Sequence, residues 1–313
     1  GIVAKSKKMQ NVVELARRVA KVDATVLITG ESGVGKERIA RLVHDESTRA
    51  AGPFIAINCG AITETLFESE LFGHKRGAFT DAVSDRQGLF ETANHGTLLL
   101  DEIAEISPGM QVKLLRVLQE REIRRVGESK SRTVDVRVLA ATNRDLAHDV
   151  ADGAFRQDLY YRLKVVELNV PPLRDRRDDI LPLARVLLAD AAVRMGRKIV
   201  GLVPSTVDQL LRYEWPGNVR ELENAMERAV ALARGNRVDL DDLPEEIRQT
   251  FPKLVVMNGG TVQPLGEIEK EYILAVLDMN NGNQTRTAEQ LRIGSATLYR
   301  KLKKYGLIGQ SQD

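Results

Sequence analysis

The sequence predicts an α/β unit with a parallel sheet and helices on both faces, then an α-helical subdomain, then a small all-α domain. Three observations carry this. Five short apolar runs alternate with helix-periodic stretches up to about residue 170; Pro171-Pro172 ends the alternation; and a basic helical tail follows a Pro/Gly-rich stretch. The runs Thr25–Thr29, Phe54–Asn58, Thr97–Asp101, Arg137–Thr142 and Val165–Asn169 read as buried strands. Near-continuous apolar strands belong to a sheet covered on both sides. Glu37–Thr48 and Met110–Glu120 are the helices between them. Beyond Pro172 no convincing strand remains, and Ile180–Met195, Pro204–Tyr213 and Asn218–Arg234 read as helices, the second opening on Pro204 and Ser205. Thr250–Gly266, with Pro252, Gly259, Gly260, Pro264 and Gly266, reads as a linker. The expected domains are therefore 1–170, 171–249 and 267–313, with 250–266 between the last two.

Composition narrows the class. Over 313 residues, 43% hydrophobic and 29% charged side chains support a sizeable core and exclude global disorder. Apolar runs are far too short for a bilayer, so no membrane partner is expected. One cysteine, Cys59, excludes a disulfide framework, and His44, His74, His95 and His148 lack ligand spacing. No secretory signal opens the chain, which suggests a reducing, cytoplasmic setting. Net charge is only +2, but from Gln284 to Asp313 six Lys/Arg face two carboxylates. The tail is therefore a candidate polyanion-binding surface.

Gly30-Glu31-Ser32-Gly33-Val34-Gly35-Lys36 follows the first strand and opens a helix, the context a phosphate-binding P-loop requires. Backbone N–H groups and a helix N-terminus would face phosphate, and Lys36 would add a point charge. Glu37 stands where Ser or Thr usually supplies a hydroxyl to Mg²⁺. Downstream, Gly96–Glu102 is an apolar strand ending in two carboxylates. Asp101 would hold Mg²⁺ through water and Glu102 would activate the attacking water. Each carboxylate alone could simply favour a helix N-terminus. Together, behind a P-loop, they point to ATP hydrolysis.

Between these motifs lies Glu68-Ser-Glu-Leu-Phe-Gly73-His-Lys-Arg-Gly77-Ala-Phe-Thr-Asp-Ala82. With Gly30–Glu37, Leu98–Glu102, Phe155–Arg162 and Trp215-Pro-Gly-Asn-Val-Arg220, it closely resembles the AAA+ domain of bacterial enhancer-binding proteins, the NtrC-like activators of sigma-54 RNA polymerase. Their signature is GAFTGA preceded by ESELFGH. The resemblance covers roughly residues 1–245 as an AAA+ P-loop ATPase with a helical lid, and the tail resembles the family's Fis-like helix-turn-helix domain. It implies ATP and Mg²⁺, the sigma-54 holoenzyme and enhancer DNA as partners, a dimer through the DNA-binding domain, and a hexameric or heptameric ring when active. It also implies an N-terminal sensory module, often a receiver of a two-component system. Because Gly1 leads straight into the ATPase, the chain reads as a fragment.

The resemblance also implies roles. Asn58 would hold Glu102 and couple nucleotide state to the Phe79 loop; Thr142 and Asn143 match the first sensor; Arg156 and Arg162 match arginine fingers reaching a neighbour's ATP; and Arg220 matches the sensor in the lid. The two fingers sit near Asp158 and Arg220 sits beside Glu221, so plain helical ion pairs are the competing reading. Trp215 reads as packing. In the loop, Gly77, Ala78, Phe79, Thr80 and Ala82 match the signature, while Asp81 replaces its second glycine. Asp tolerates left-handed backbone, so the turn is expected to form. An apolar tip at Ala78-Phe79 suggests an exposed contact, against the alternative of a buried Phe79. In the tail, Glu267–Met279, Thr287–Leu291 and Ser295–Tyr305 form three expected helices, the last closed by Gly306. Ser295, Thr297, Arg300, Lys301 and Lys304 could reach bases or phosphates, with Leu298 and Leu302 inward. A solvated cationic helix end is the alternative. Two rival functions stay open: an AAA+ remodeller with another target, and a DNA-bound repressor with a retired ATPase.

Overall fold

A computed structural model of the chain describes residues 2–80, 82–248 and 265–305. The chain divides into two units, 1–244 and 245–313. In the first, β1 (Val26–Thr29), β2 (Phe54–Asn58), β5 (Thr97–Asp101), β8 (Arg137–Thr142) and β9 (Val166–Asn169) form one sheet in the order β2-β5-β8-β1-β9. Every neighbouring pair is parallel. Alternation along the strands feeds two cores. Leu27, Leu98, Leu100, Val138 and Ala140 face one side, and Val26, Ile28, Leu99, Leu139 and Ala141 face the other. That is why the strands look continuously apolar in sequence. β2 is the exception. It is only half-buried, because it closes one edge of the sheet, where Arg41 lies 4.4 Å over the Phe54 ring.

One face carries α1 (Lys7–Ala20) and α2 (Lys36–Asp45), and the other carries α3 (Glu64–Phe72), α5 (Pro108–Glu120) and α7 (Gln157–Leu163). The short helices α4 (Leu89–Thr92) and α6 (Leu146–Ala151) add Phe90 and Leu146 to the core of that second face. α1 is not among the expected helices, although Met9, Val12, Val13, Ala16, Val19 and Ala20 recur at helical spacing; Ser6 caps it and Met9, Ala16, Val19 and Ala20 are buried along one stripe. Two short hairpins interrupt the sheet: β3 (Gly73–His74) with β4 (Arg86–Gln87), and β6 (Glu122–Arg124) with β7 (Ser131–Thr133).

Beyond Pro172 come α8 (Ile180–Arg194), α9 (Pro204–Arg212) and α10 (Asn218–Leu232), within two residues of expectation. The expectation of no further strand fails in one detail. Gly201–Leu202 (β10) and Arg237–Val238 (β11) pair in parallel, each too short to leave a periodic signal. Trp215 is fully buried, donates from Nε1 to Leu210 O at 2.9 Å, and meets Tyr213 edge-on at 5.0 Å. Trp215→Ala should therefore lower stability by about 3–5 kcal/mol, read by thermal or urea unfolding.

The second unit holds α11 (Glu245–Arg248), α12 (Leu265–Met279), α13 (Gln284–Gln290) and α14 (Ser295–Lys304). Ile273, Ala288, Leu298 and Leu302 form the core of the last three helices. α12 starts two residues before the expected Glu267, while 250–264 of the expected linker and Gly306 lie outside the described residues.

Candidate functional site

β1 ends at Thr29, and the chain turns through Gly30 to Gly35 into α2. Gly33 sits at φ +76, and a Cβ there would lie 2.5 Å from Gly217 O, so only glycine fits. Gly35, the residue before α2, sits at φ +100, and a Cβ there meets nothing within 4 Å. This leaves open space beside the first N–H groups of a ten-residue helix. Lys36 Nζ donates to Gly30 O at 2.8 Å and Glu31 O at 3.0 Å. Burial pulls the Lys36 pKa below the usual lysine value, against the opposing charges of Asp101 and Glu102 and with Arg220 adding to the fall. Those four side chains therefore share one field. Glu31 turns its carboxylate to Arg174 and Asn218, so its share of the cradle is backbone, and Glu37 is exposed.

The carboxylates stand one strand away from β1's direct neighbour, at the end of β5. Asp101 Oδ1 accepts from Glu102 N–H at 3.0 Å. Glu102 is left-handed at φ +54, an uncommon conformation outside glycine that ends the strand and re-aims its side chain. A Cβ on Gly60 would lie 3.1 Å from Glu102 Oε2, which places that oxygen above the turn after β2. Asn58 pairs in register with Asp101, and its Oδ1 accepts from Gly60 N–H at 2.9 Å. Among the described residues Asn58 makes that bond and none to Glu102, so Gly60 is the shared neighbour of the two. Burial and the adjacent Asp101 and Glu102 push the Cys59 thiol pKa far up, leaving it inert as a nucleophile.

A cleft of about 500 Å³ is lined by Glu31, Ser32, Gly33, Asn143 and Arg220. Asn143 therefore faces the cradle, whereas Thr142 is buried and its hydroxyl accepts from Arg144 N–H at 3.0 Å. Beside Gly35 runs a mainly apolar slot between Ile2, Val34, Ile39, Leu187 and Val219, with Arg38, Arg176 and Asp190 also on its walls. Sequence reading missed this slot, because its walls come from four distant segments. The sole hint was the apolar start at Ile2-Val3.

Arg156 and Arg162 are exposed and lie at opposite ends of α7. Arg156 pairs with Asp158 at 2.7 Å, the ion pair that was its competing reading. Arg162 donates to Leu118 O at 2.8 Å and lines a pocket with Asp23 and Thr25, which precede β1. The cradle follows β1, so the strand's length of roughly 13 Å separates this end of the sheet from Gly30.

The 73–87 hairpin carries the loop. Gly77 is at φ +82, and Gly77 N–H donates to Ala82 O at 2.8 Å while Ala82 N–H donates to Phe79 O at 2.9 Å. The expected exposed tip is in fact half-buried: Phe79 meets His74 edge-on at 5.0 Å, and His74 is held by Ser69 at 2.7 Å. Ala78 rests on Gly127, where any Cβ would come within 2.9 Å of its methyl. Thr80 is exposed, and Asp81 lies outside the described residues.

Residues 2–169 match the family model described as the Sigma-54 interaction domain. The chain belongs to the sigma-54-dependent transcription activators. Residues 174–255 match an AAA+ ATPase lid domain and 264–305 a Bacterial regulatory protein, Fis family, domain. The transcriptional regulatory protein ZraR of Klebsiella oxytoca is 51% identical over 97% of this chain and 69% of that protein. The regulatory protein AtoC of Escherichia coli is 48% identical over 98% and 68%. A crystal structure of NtrX from Brucella abortus in complex with ATP superposes with a TM-score of 0.78 at 37% identity, covering 98% of this chain and 70% of that one. As a member of this family the chain is an AAA+ ATPase with sigma-54 and DNA as partners, and none of its described helices is long and apolar enough to cross a membrane.

In the activator's helix-turn-helix, Asn283 caps α13 and Arg292 makes the left-handed turn into α14 at φ +52. Leu298 and Leu302 point inward as expected, and Ser295, Arg300 and Lys304 are exposed, with Thr297 half-buried. Lys301 differs from expectation: its Nζ pairs with Glu269 on α12 at 2.7 Å, so it braces the domain. The exposed face instead includes Tyr299 and Lys303, which sequence reading passed over. Helical spacing from Arg300 would have found Lys303.

Proposed function

We propose that this activator hydrolyses ATP as a closed ring, uses the Phe79 loop to remodel sigma-54 holoenzyme, and holds upstream enhancer DNA through α14. The observation that carries this is placement: β1 leads into the Gly30–Lys36 cradle and β5 ends at Asp101-Glu102, both beside β8 at the same end of one parallel sheet, and Arg220 lines the cleft over the cradle. The backbone of Gly30–Gly35 and Lys36 receive the triphosphate, Asn143 and Arg220 contact it from the cleft, and the apolar slot beside Gly35 takes the adenine. Asp101, a hard-oxygen donor at the end of β5, is the carboxylate that would hold Mg²⁺ together with the phosphates; when bound, the ion would neutralise developing phosphate charge. Glu102 orients the attacking water and accepts its proton, and Asn58, sharing Gly60 with it, fixes where that carboxylate points. Such a DNA-bound machine works in the cytoplasm.

Arg162 lies at the end of the sheet away from its own cradle, so it serves a neighbour's nucleotide, with Arg156 swinging from Asp158 to join it. Head-to-tail contacts of this kind close into rings. Arg162→Ala should lose on the order of 10³-fold in turnover. Mixed with Lys36→Ala subunits, it should regain measurable hydrolysis, because an interface where the Arg162→Ala subunit supplies the cradle and the Lys36→Ala subunit the finger is intact. Mixtures no better than either variant alone would refute action in trans.

A further inference from the structure

The second residue of the phosphate cradle is an acid, which ought to repel a triphosphate. Its surroundings answer this. Arg174 grips Glu31 with both guanidinium ends, Nη1 to Oε2 at 2.9 Å and Nη2 to Oε1 at 2.5 Å. Asn218, fully buried, donates from Nδ2 to Glu31 Oε2 at 3.1 Å and to Ser32 O at 3.1 Å, while its Oδ1 accepts from Leu173 N–H at 2.8 Å. One amide thus ties the cradle, the segment after β9, and the first turn of α10. The next residue continues the seam: Val219 N–H donates to Gly33 O at 3.0 Å. Asn218 sits at φ +54, a conformation Asn tolerates better than most residues.

We infer that Arg174 and Asn218 are positioning residues for nucleotide binding, acting through Glu31: they cancel its charge, turn it from the phosphates and lock the cradle to the lid helix that carries Arg220. This rests on the reading of Gly30–Lys36 as the triphosphate site. The hydrogen bonds from Arg174 and then Asn218 hold the Glu31 pKa down to about 2, so the carboxylate is charged throughout the neutral range and needs its partner. A bidentate Arg–carboxylate pair supplies direction as well as charge, which a lysine point charge does not. Removing Arg174 leaves an uncompensated anion lining the same cleft as Arg220. Its repulsion grows with the phosphate charge of the ligand.

The test is equilibrium binding of fluorescently labelled ATP and ADP, with steady-state KM and kcat alongside. Arg174→Ala should weaken ATP on the order of tenfold and ADP by less, since Coulomb repulsion scales with charge and salt screens the remainder. The loss should appear in KM more than in kcat. Arg174→Ala/Glu31→Gln should recover most of the affinity, because the offending charge is gone, and Arg174→Lys should fall between. Asn218→Gly, which keeps the left-handed backbone and loses the amide, should also weaken ATP. Equal losses for ATP and ADP, or a double variant as weak as Arg174→Ala, would overturn the proposal while leaving the phosphate site intact. Wild-type protein that binds no better than Lys36→Ala would overturn the phosphate site itself, and this inference with it.

Discussion

Lys36→Ala should abolish nucleotide binding, whereas Glu102→Ala should bind ATP and lose about 10²–10⁴-fold in turnover, the usual worth of a positioned general base. The two variants separate because the two residues do different work. Lys36 begins α2 and its ammonium bridges the cradle carbonyls, so its loss removes both a charge and a brace. Among the described residues Glu102 makes no hydrogen bond to the cradle; its left-handed backbone sets the carboxylate beside Gly60. Labelled-nucleotide binding and phosphate release on the same preparations check both halves. Equal hydrolysis by wild type and Glu102→Ala would remove Glu102 from the chemistry.

The second large effect concerns the loop. Phe79→Ala and Thr80→Ala should continue to hydrolyse ATP yet fail to open sigma-54 promoters. Phe79 is seated on His74 and Ala78 on Gly127, on a hairpin separate from α2, which begins at Lys36, and from β5, which Glu102 follows. Nothing in that seat contributes to the phosphate cleft, so truncating the ring removes the contact with sigma-54 without disturbing the nucleotide. Capture of sigma-54 in a transition-state nucleotide complex, measured beside turnover, reads the uncoupling. Variants that still open promoters at the wild-type rate would show that the loop tip is not the contact.

Much of this was legible in the sequence, for physical reasons. The five sheet strands announce themselves because both faces are buried, and the glycines of the cradle because the backbone there reaches left-handed φ. What escaped was mostly long-range or short. Asn218 and Glu31 lie 187 residues apart, and no local pattern joins them. The slot beside Gly35 draws its walls from four segments, and β10 and β11 are two residues each. Charge alone assigned Lys301 to DNA, because sequence cannot show that Glu269 competes for it. Phe79 was expected to stand free, and only the fold brings His74 beneath it.

The most direct measurement is open-complex formation on a supercoiled sigma-54 promoter with an upstream binding site, as this protein is titrated in the presence of ATP. The expected result is open complexes that require ATP, rise steeply with protein concentration as rings assemble, and vanish in Phe79→Ala protein whose turnover persists. Hydrolysis at a constant specific rate across the titration, with DNA bound and no open complexes at any concentration, would contradict the ring-driven activator and favour a DNA-bound ATPase that does not open promoters.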